Sequence, residues 1–571
     1  LKGIDSAAGS AVAIRIQETE PFSPEASEAR EKFGITPRPI PNLGSARAGV
    51  SEVFLGVAIT CGAEEQVIPF MDRGLSAEYE IARSIRVVAR TSRAKVGVLE
   101  TGINVFGGLD FQTMRNSPSW SVVEELRKQY EVVQISSPAE MPEDLDGLLV
   151  PLPSSLPQPE MDQLYQAIES GVPTLLLVDP LPVVDIGLAP SEQAGGNQNP
   201  MMGNQGPPPQ PKGDIQAMMT KLGISWDSAR IVWDSYNPHP DLANLPPEVV
   251  FVGRGNENES AFNPGHNATS ELQELVLLYP GELNKAIDSK LVFESLLMTG
   301  RVSGRFAYPQ MVQRSFFGVQ MNRNLQHIPD DLEYTLAAHV WAPGGEAKND
   351  EAAESGEEAE AEASGARSPV NVIVAADLDF ISEQFFQIRA VGVENLKFDN
   401  IPFFLNCMDI LVGDESFIAL RNKRIRHRTL ERVEEQTRNF IEQRVEDEQL
   451  AESEAEIALA DAQRRLDEKV NEVEQRPDLD AQTKQIMARN LQEAESRRFE
   501  VLKANIEAEK EAKIHASKEN MEAQIRGIQN TIRTFAVLLP PIPVFILGVI
   551  IFVKRQRRER EGAAAARRLR A

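Results

Sequence analysis

From Lys95 onward the chain alternates short apolar runs with amphipathic stretches. Val96–Leu99 (VGVL), Glu131–Ile135 (EVVQI), Asp146–Val150 (DGLLV) and Pro173–Val178 (PTLLLV) read as strands. Between them, Ser119–Tyr130 and Gln158–Ser170 have helical spacing. The first has Ser119 or Ser121 as N-cap with Glu124 and Glu125 in its opening turn, and the second is stopped by Gly171. Continuous apolar strands alternating with helices predict a parallel sheet covered on both faces. Ile231–Trp233, Val249–Val252 and Val370–Ala375 add strand candidates. Residues 1–92 read as a small α/β piece. In it, Val53–Cys61 and Gln66–Phe70 flank a turn at Gly62-Ala63-Glu64-Glu65, and Ser76–Arg90 forms a helix.

Residues 421–533 are different: highly charged, poor in Gly and helical throughout. Pro477 divides them into two arms, with Asp480 as N-cap of the second. Met487, Leu491, Phe499, Leu502, Ile506, Ile514, Met521, Ile525, Ile528 and Ile532 recur mostly three, four or seven apart. Leu430, Val433, Phe440, Ile457, Leu466, Val470 and Val473 do so less regularly on the first arm. This predicts an antiparallel helical hairpin, a stalk with a thin apolar seam.

The last apolar run, Phe535–Val553, meets the basic residues Lys554, Arg555, Arg557, Arg558 and Arg560. About 20 apolar residues span a bilayer, and a basic flank stays on the cytoplasmic side. The pattern predicts a single C-terminal transmembrane helix over 534–553 and a basic cytoplasmic tail over 554–571. It places the chain at a bacterial inner membrane with its body extracytoplasmic. Pro540, Pro541 and Pro543 interrupt the outer half of that run. The chain opens at Leu1 without a signal segment, so upstream sequence carrying an export signal is expected.

Composition sharpens this picture. At 571 residues the chain has room for two or three domains, and its formal net charge of -26 disfavours nucleic acid as a partner. Residues 93–420 form the α/β body. It is interrupted at 190–213 (rich in Gly, Pro, Asn and Gln) and at 346–366, where eight carboxylates face one Lys. Both insertions lack the apolar residues that would offset ordering entropy. Cys61 and Cys407 sit in apolar settings and read as two small buried hydrophobes rather than a disulfide.

Phosphate-binding, dinucleotide and metalloprotease motifs are absent, as are C-x-x-C and G-x-S-x-G, and the six histidines show no ligand-like spacing. No cofactor and no metal is implied. After Asp146–Val150 the turn Pro151-Leu152-Pro153-Ser154-Ser155 offers Ser154 or Ser155 as a nucleophile, without a histidine in a suggestive position. Helix capping is the ordinary role for such serines. A second cluster follows Val370–Ala375: Asp377, Asp379, Asn400 and Asn406. Carboxylates at strand C-termini are where α/β sheets hold ligands, and equally where they cap backbone turns.

At these residues the chain resembles GldG, the gliding-motility-associated auxiliary component of an ABC-type transport system. The segments that carry the likeness are Glu78-Tyr79-Glu80 with Ile85, Asp146–Pro153, and Ser170–Pro180 with Val172 where a second Gly is common. Lys221–Ile224 followed by Asp234 adds to them, as do Asp377–Phe380 with Asn400, Asn406, Asp409, Leu411, Asp414, Arg421 and Lys423. The resemblance covers about residues 30 to 560. It implies an extracytoplasmic α/β body beside an ABC permease and ATPase, with no catalytic residues. The expected function is therefore that of a non-enzymatic, membrane-anchored auxiliary subunit whose body binds a substrate or an envelope partner. Self-association through the stalk is open. The alternative is an extracytoplasmic hydrolase or amidotransferase-like enzyme on a stalk, against which the missing nucleophile–base pair counts.

Overall fold

The computed structural model describes residues 11–20, 23–41, 50–192, 210–343, 370–423, part of 443–468, 481–538 and part of 541–556. Positions 73, 91, 111–114, 240–241, 257, 316–317, 323–324 and 393–395 are excepted. The chain divides into two units. One comprises 1–236, 245–325 and 329–427, and the other 237–244, 326–328 and 428–571.

The first unit is built on a seven-stranded sheet. Its strands are β1 (Lys95–Leu99), β2 (Glu131–Ile135), β3 (Gly147–Pro151), β4 (Thr174–Leu177), β5 (Val292–Met298), β6 (Thr335–Trp341) and β7 (Asn371–Ala375). Across the sheet they run β5-β6-β7-β4-β3-β1-β2. The pairs β1–β2, β1–β3, β3–β4 and β4–β7 are parallel, and β7–β6 and β6–β5 are antiparallel. The helices of this unit are α1 (Ala77–Ala89), α2 (Ser121–Arg127), α3 (Gln158–Glu169), α4 (Ile215–Lys221), α5 (Glu383–Val391), α6 (Asn400–Val412) and α7 (Ile418–Arg421).

The strand alternation explains why both faces are apolar. Val96, Val98, Leu149, Leu175, Leu177, Ile373 and Ala375 pack with α2 and α6 on one face. Leu99, Leu148, Val150, Leu176, Val178, Val372 and Val374 pack with α3 and α4 on the other. Each continuous apolar run thus feeds two cores, which is what a parallel interior strand demands.

Several expectations change. Ile231–Trp233 and Val249–Val252 are strands outside the main sheet. Arg230–Asp234 pairs antiparallel with Ser303–Ala307, and Val249–Gly253 with Glu274–Leu278. Val53–Cys61 is split into Val50–Val53 and Val57–Cys61, and the second half turns at Gly62 (φ 63°) to pair with Glu64–Ile68. The N-cap of α2 is Trp120, whose side chain makes no cap bond. A carboxylate from α5 does the capping instead: Glu383 accepts from the Ser121 N–H and hydroxyl at 2.5 and 2.8 Å. Cys61 is exposed on its hairpin and Cys407 is buried, and both are free.

The C-terminal expectation is overturned. Among the described residues no helix is long and apolar enough to cross a membrane. The last long helix, α8 (Ala481–Leu538), takes in only the first residues of the apolar run and ends just before Pro540 and Pro541. Proline lacks the N–H a helix needs and clashes with the preceding turn, which fits a helix ending at Leu538, before Pro540 and Pro541. The inner-membrane placement with an extracytoplasmic body rested on that span and falls with it. Residues 557–571 of the basic tail, most of 190–213 and all of 346–366 lie outside the described residues, as do Pro477 and Asp480.

In the second unit α8 runs antiparallel to the helical stretch 450–465. Ser517 bonds Asp447 at 2.9 Å, and Lys513 bonds Glu454 at 2.8 Å. Met521 and Ala451 are buried there, whereas Ile457 is 66% exposed. Among the described residues the seam thus combines these polar contacts with the buried pair Ala451 and Met521.

In the first unit a buried polar network joins α1, α6 and α7. The Arg421 guanidinium donates to Asp409 (2.7 Å), Asn406 (2.7 Å) and the Tyr79 hydroxyl (2.9 Å). The Tyr130 hydroxyl and Gln129 also donate to Asp409. Burial pushes the Asp409 carboxyl up, against the pull of Arg421 and of those hydrogen bonds. Removing one partner of a buried pair strands the other charge. Arg421→Ala should therefore cost about 3–5 kcal/mol. The double variant Arg421→Met/Asp409→Leu should cost clearly less, as read by chemical denaturation of the two variants side by side.

Candidate functional site

The parallel sheet offers two places at its carboxyl edge. The first is the switch point between β1 and β3, where the chain order reverses and α/β sheets commonly hold ligands. Here Leu152 follows β3 in the left-handed region at φ 51°, a conformation that costs a non-glycine residue about 1–2 kcal/mol. Its fully buried side chain is packed into the core, which holds the strain in place. The next turn is closed by its own bonds. Ser155 Oγ donates to the Leu152 carbonyl and accepts from the Gly102 N–H, each at 2.8 Å. A Cβ on Gly102 would lie 2.8 Å from the Ser155 Cβ, so the two segments touch. Ser154 is buried, and its Oγ makes no hydrogen bond. Neither serine has a histidine as partner.

The second place is the pair of neighbouring strands β4 and β7. Asp179 lies two residues past β4, and Asp377 and Asp379 follow β7. The register of β4 on β7 brings these strand ends together. The three side chains are fully buried, and their ligating oxygens all lie within 4.8 Å of one another. Each carboxylate accepts two backbone N–H groups. Asp179 takes those of Leu181 (2.8 Å) and Leu378 (2.9 Å). Asp377 takes those of Asp379 (2.7 Å) and Leu278 (2.8 Å). Asp379 takes those of Val183 (2.5 Å) and Val184 (3.2 Å).

Burial first, and the neighbouring carboxylates second, hold Asp179 and Asp377 well above the usual carboxylate range. Burial pushes Asp379 up to about 6, against the two N–H donors. Three like charges this close cannot all ionise together, so the cluster retains protons that isolated aspartates would lose. By number and spacing of oxygens these are the residues that could hold a cation. Their observed partners are backbone amides, which is the chemistry of a clasp.

Asn400 extends that clasp. Its amide accepts from the Val276 N–H (3.0 Å) and donates to the carbonyls of Val276 (2.8 Å) and Phe380 (3.1 Å). Asp399 accepts from Gln273 and Glu274 at 2.8 and 3.1 Å. The N–H groups of 274, 276 and 278 lie along one edge of the strand Glu274–Leu278, and Asp399, Asn400 and Asp377 close them in turn. Asn406 lies elsewhere, in the Arg421 network, where it also donates to the Ala268 carbonyl at 3.0 Å. Of the four residues singled out in the sequence, Asp377, Asp379 and Asn400 therefore share one cluster and Asn406 does not.

Asp179 completes the cluster and was not singled out. Its signal was its place directly after an apolar strand, as for Asp377. A histidine pair was also missed. Ala268 N–H donates to His266 Nδ1 (3.2 Å), so His266 Nε2 carries the proton towards His339 Nδ1 (3.0 Å), and His339 Nε2 faces Asn371 Oδ1 (2.8 Å). Burial pushes both rings down to about 4, so they are neutral at neutral pH.

Comparison with known proteins settles the family. Residues 93–407, which hold both the switch point and the aspartate cluster, match the family described as an ABC-type uncharacterized transport system, a family of auxiliary components. The chain belongs to that family. This agrees with the GldG-like motifs at the level of the wider family. No curated protein matches the chain. One solved structure, a ThuA-like protein from Bacteroides uniformis ATCC 8492, is 10% identical over 56% of this chain and 93% of that one, with a TM-score of 0.26. A likeness that slight carries no argument.

The cluster makes a pH-dependent prediction. Asp379 ionises near 3.8 when unfolded and near 6 when folded. Between those values the folded form keeps a proton that the unfolded form has lost. The group's contribution is present below about pH 4 and is lost as pH rises through about 6. Asp379→Asn removes this titration and places an amide NH₂ against a backbone donor. Its stability penalty, read by denaturation between about pH 4 and about pH 7, should be greatest at the acid end. It should shrink by up to about 3 kcal/mol towards neutrality.

Proposed function

We propose that this chain is a GldG-like auxiliary subunit that performs no chemistry of its own and acts by recognising other components of its ABC-type transport system. The family match over the α/β body carries this reading. The polar groups at the carboxyl edge support it. Ser155 and the three aspartates already have backbone partners, and Ser154 is buried without a base. A hydrolase would need a nucleophile within hydrogen-bonding reach of such a base.

The recognition surface we assign is the loop held by Asp379. Val183 and Val184 are 40% and 44% exposed on the sheet's carboxyl edge, although their N–H groups are fixed from below. Exposed valines on a backbone clamped in this way lose little entropy when a partner covers them. The partners would be the permease and ATPase subunits.

The test is co-purification of those subunits with the full-length protein. Val183→Asp with Val184→Asp should reduce recovery at least about tenfold, because charge is placed in a desolvated contact, while the thermal midpoint stays close to the parent. Ser154→Ala and Ser155→Ala should leave recovery intact. Full recovery with the double Asp variant removes the loop from the interface. A hydrolytic activity lost on substituting either serine would overturn the non-enzymatic reading itself.

A further inference from the structure

Among the described residues, the helical hairpin exposes three apolar side chains on one flank, while Val501, 63% exposed, points away from it. Leu450 and Ile457 are 62% and 66% exposed on the first arm, and Leu502 is 46% exposed on the second. Buried Ala451 marks the face of the first arm that meets its partner. At about 100° of rotation per residue, Leu450 and Ile457 lie roughly a quarter to a third of a turn from it, on the same side. Lys510 and Lys513, which reach Glu452 and Glu454, mark the inner face of α8. Leu502 lies roughly a quarter turn from Lys510 and about 20° from Lys513, both in the same rotational sense. Because the arms are antiparallel, that puts all three side chains on one flank. The pairings 447–517 and 454–513 place Leu450, Ile457 and Leu502 at successive levels over about 18 Å of hairpin.

Charge selects what covers this flank. Residues 446–461 of the first arm contain seven Asp and Glu and no Lys or Arg, whereas 503–518 of α8 contain four Lys against three Glu. An acidic arm and a weakly basic arm side by side fit a second copy turned so that each arm meets the other kind. We propose that two copies of this chain pair through this flank into a four-helix bundle, with the two-fold axis along the hairpin. The first arm of one copy lies against α8 of the other, and both hairpin tips point the same way. The opposite arrangement, with tips at opposite ends, would stack acidic arm on acidic arm and is disfavoured. Glu454 and Asp461, both about half exposed and paired within their own hairpin with Lys513 and Arg464, would also face the lysines of the partner's α8. This inference does not depend on the transport reading.

Sedimentation of the full chain over a concentration series tests it. A reversible monomer–dimer equilibrium is expected, weakened by salt because rim charges contribute. Leu450→Lys with Ile457→Lys should raise the dimer dissociation constant at least about tenfold. Both sites are more than half exposed, so the helical circular dichroism should be unchanged. Asp461→Lys, which keeps both the apolar residues and the Glu454–Lys513 contact within the hairpin, should weaken the dimer as well. Orientation is read from a spin label on Gln482→Cys, in the first turn of α8, with exposed Cys61 changed to Ser. Tips on the same side give a distance on the order of 20–40 Å, and opposed tips roughly 90 Å. A chain that stays monomeric to about 100 µM, a dimer indifferent to the Leu450/Ile457 change, or the long distance would each overturn the proposal.

Discussion

The carboxyl edge of the central sheet depends on buried side chains that stand in for backbone. Asp179, Asp377 and Asp379 take up six N–H groups from three separate segments, and Asp399 and Asn400 take up three more. Buried N–H groups must be paired, and loops crossing a strand end have no ladder to pair with. The cost is the burial of three carboxyl groups in contact, offset by six donors and by retained protons. This arrangement turns a set of loops into a defined surface. It also closes the N–H row of the strand Glu274–Leu278, which would otherwise be an open template for another strand.

The Arg421 network solves a similar problem for the helical layer. It joins α1, α6 and α7 through residues that lie far apart in sequence, Tyr79, Tyr130, Asn406, Asp409 and Arg421. The two clusters share no residue, although α6 contributes to both: Asn400 at its start and Asn406 and Asp409 further along. That helix, apolar on the sheet side and polar at chosen positions, links the carboxyl edge to the base of the first unit.

Much of this was legible in the chain. The runs at β1, β2, β3, β4 and β7 were visible because interior parallel strands are apolar on both faces. β5 and β6 were not, because VFESLLM and TLAAHVW mix polar residues into edge and antiparallel strands and follow no βαβ spacing. Asp377, Asp379 and Asn400 were found from their position after a strand, but Asp179 was passed over because Asp-Pro reads first as a turn. The His266–His339 contact joins residues 73 apart and has no local signature. The C-terminal span was read from hydropathy, which counts apolar residues, whereas a span also needs a long apolar helix, and among the described residues none is present.

A backbone clasp at the aspartate cluster would hold the neighbouring loops as a preformed surface, and its amides would be shielded without any bound ion. Hydrogen exchange of the full-length protein, followed by mass spectrometry over the segments containing 181–184, 278 and 378–379, tests this most directly. A clasp gives slow exchange with a common protection factor across all three segments, unchanged by added magnesium, manganese or calcium. Exchange at the rate of an open loop, or protection that appears only with one of those cations, would contradict it and make the cluster a ligand site.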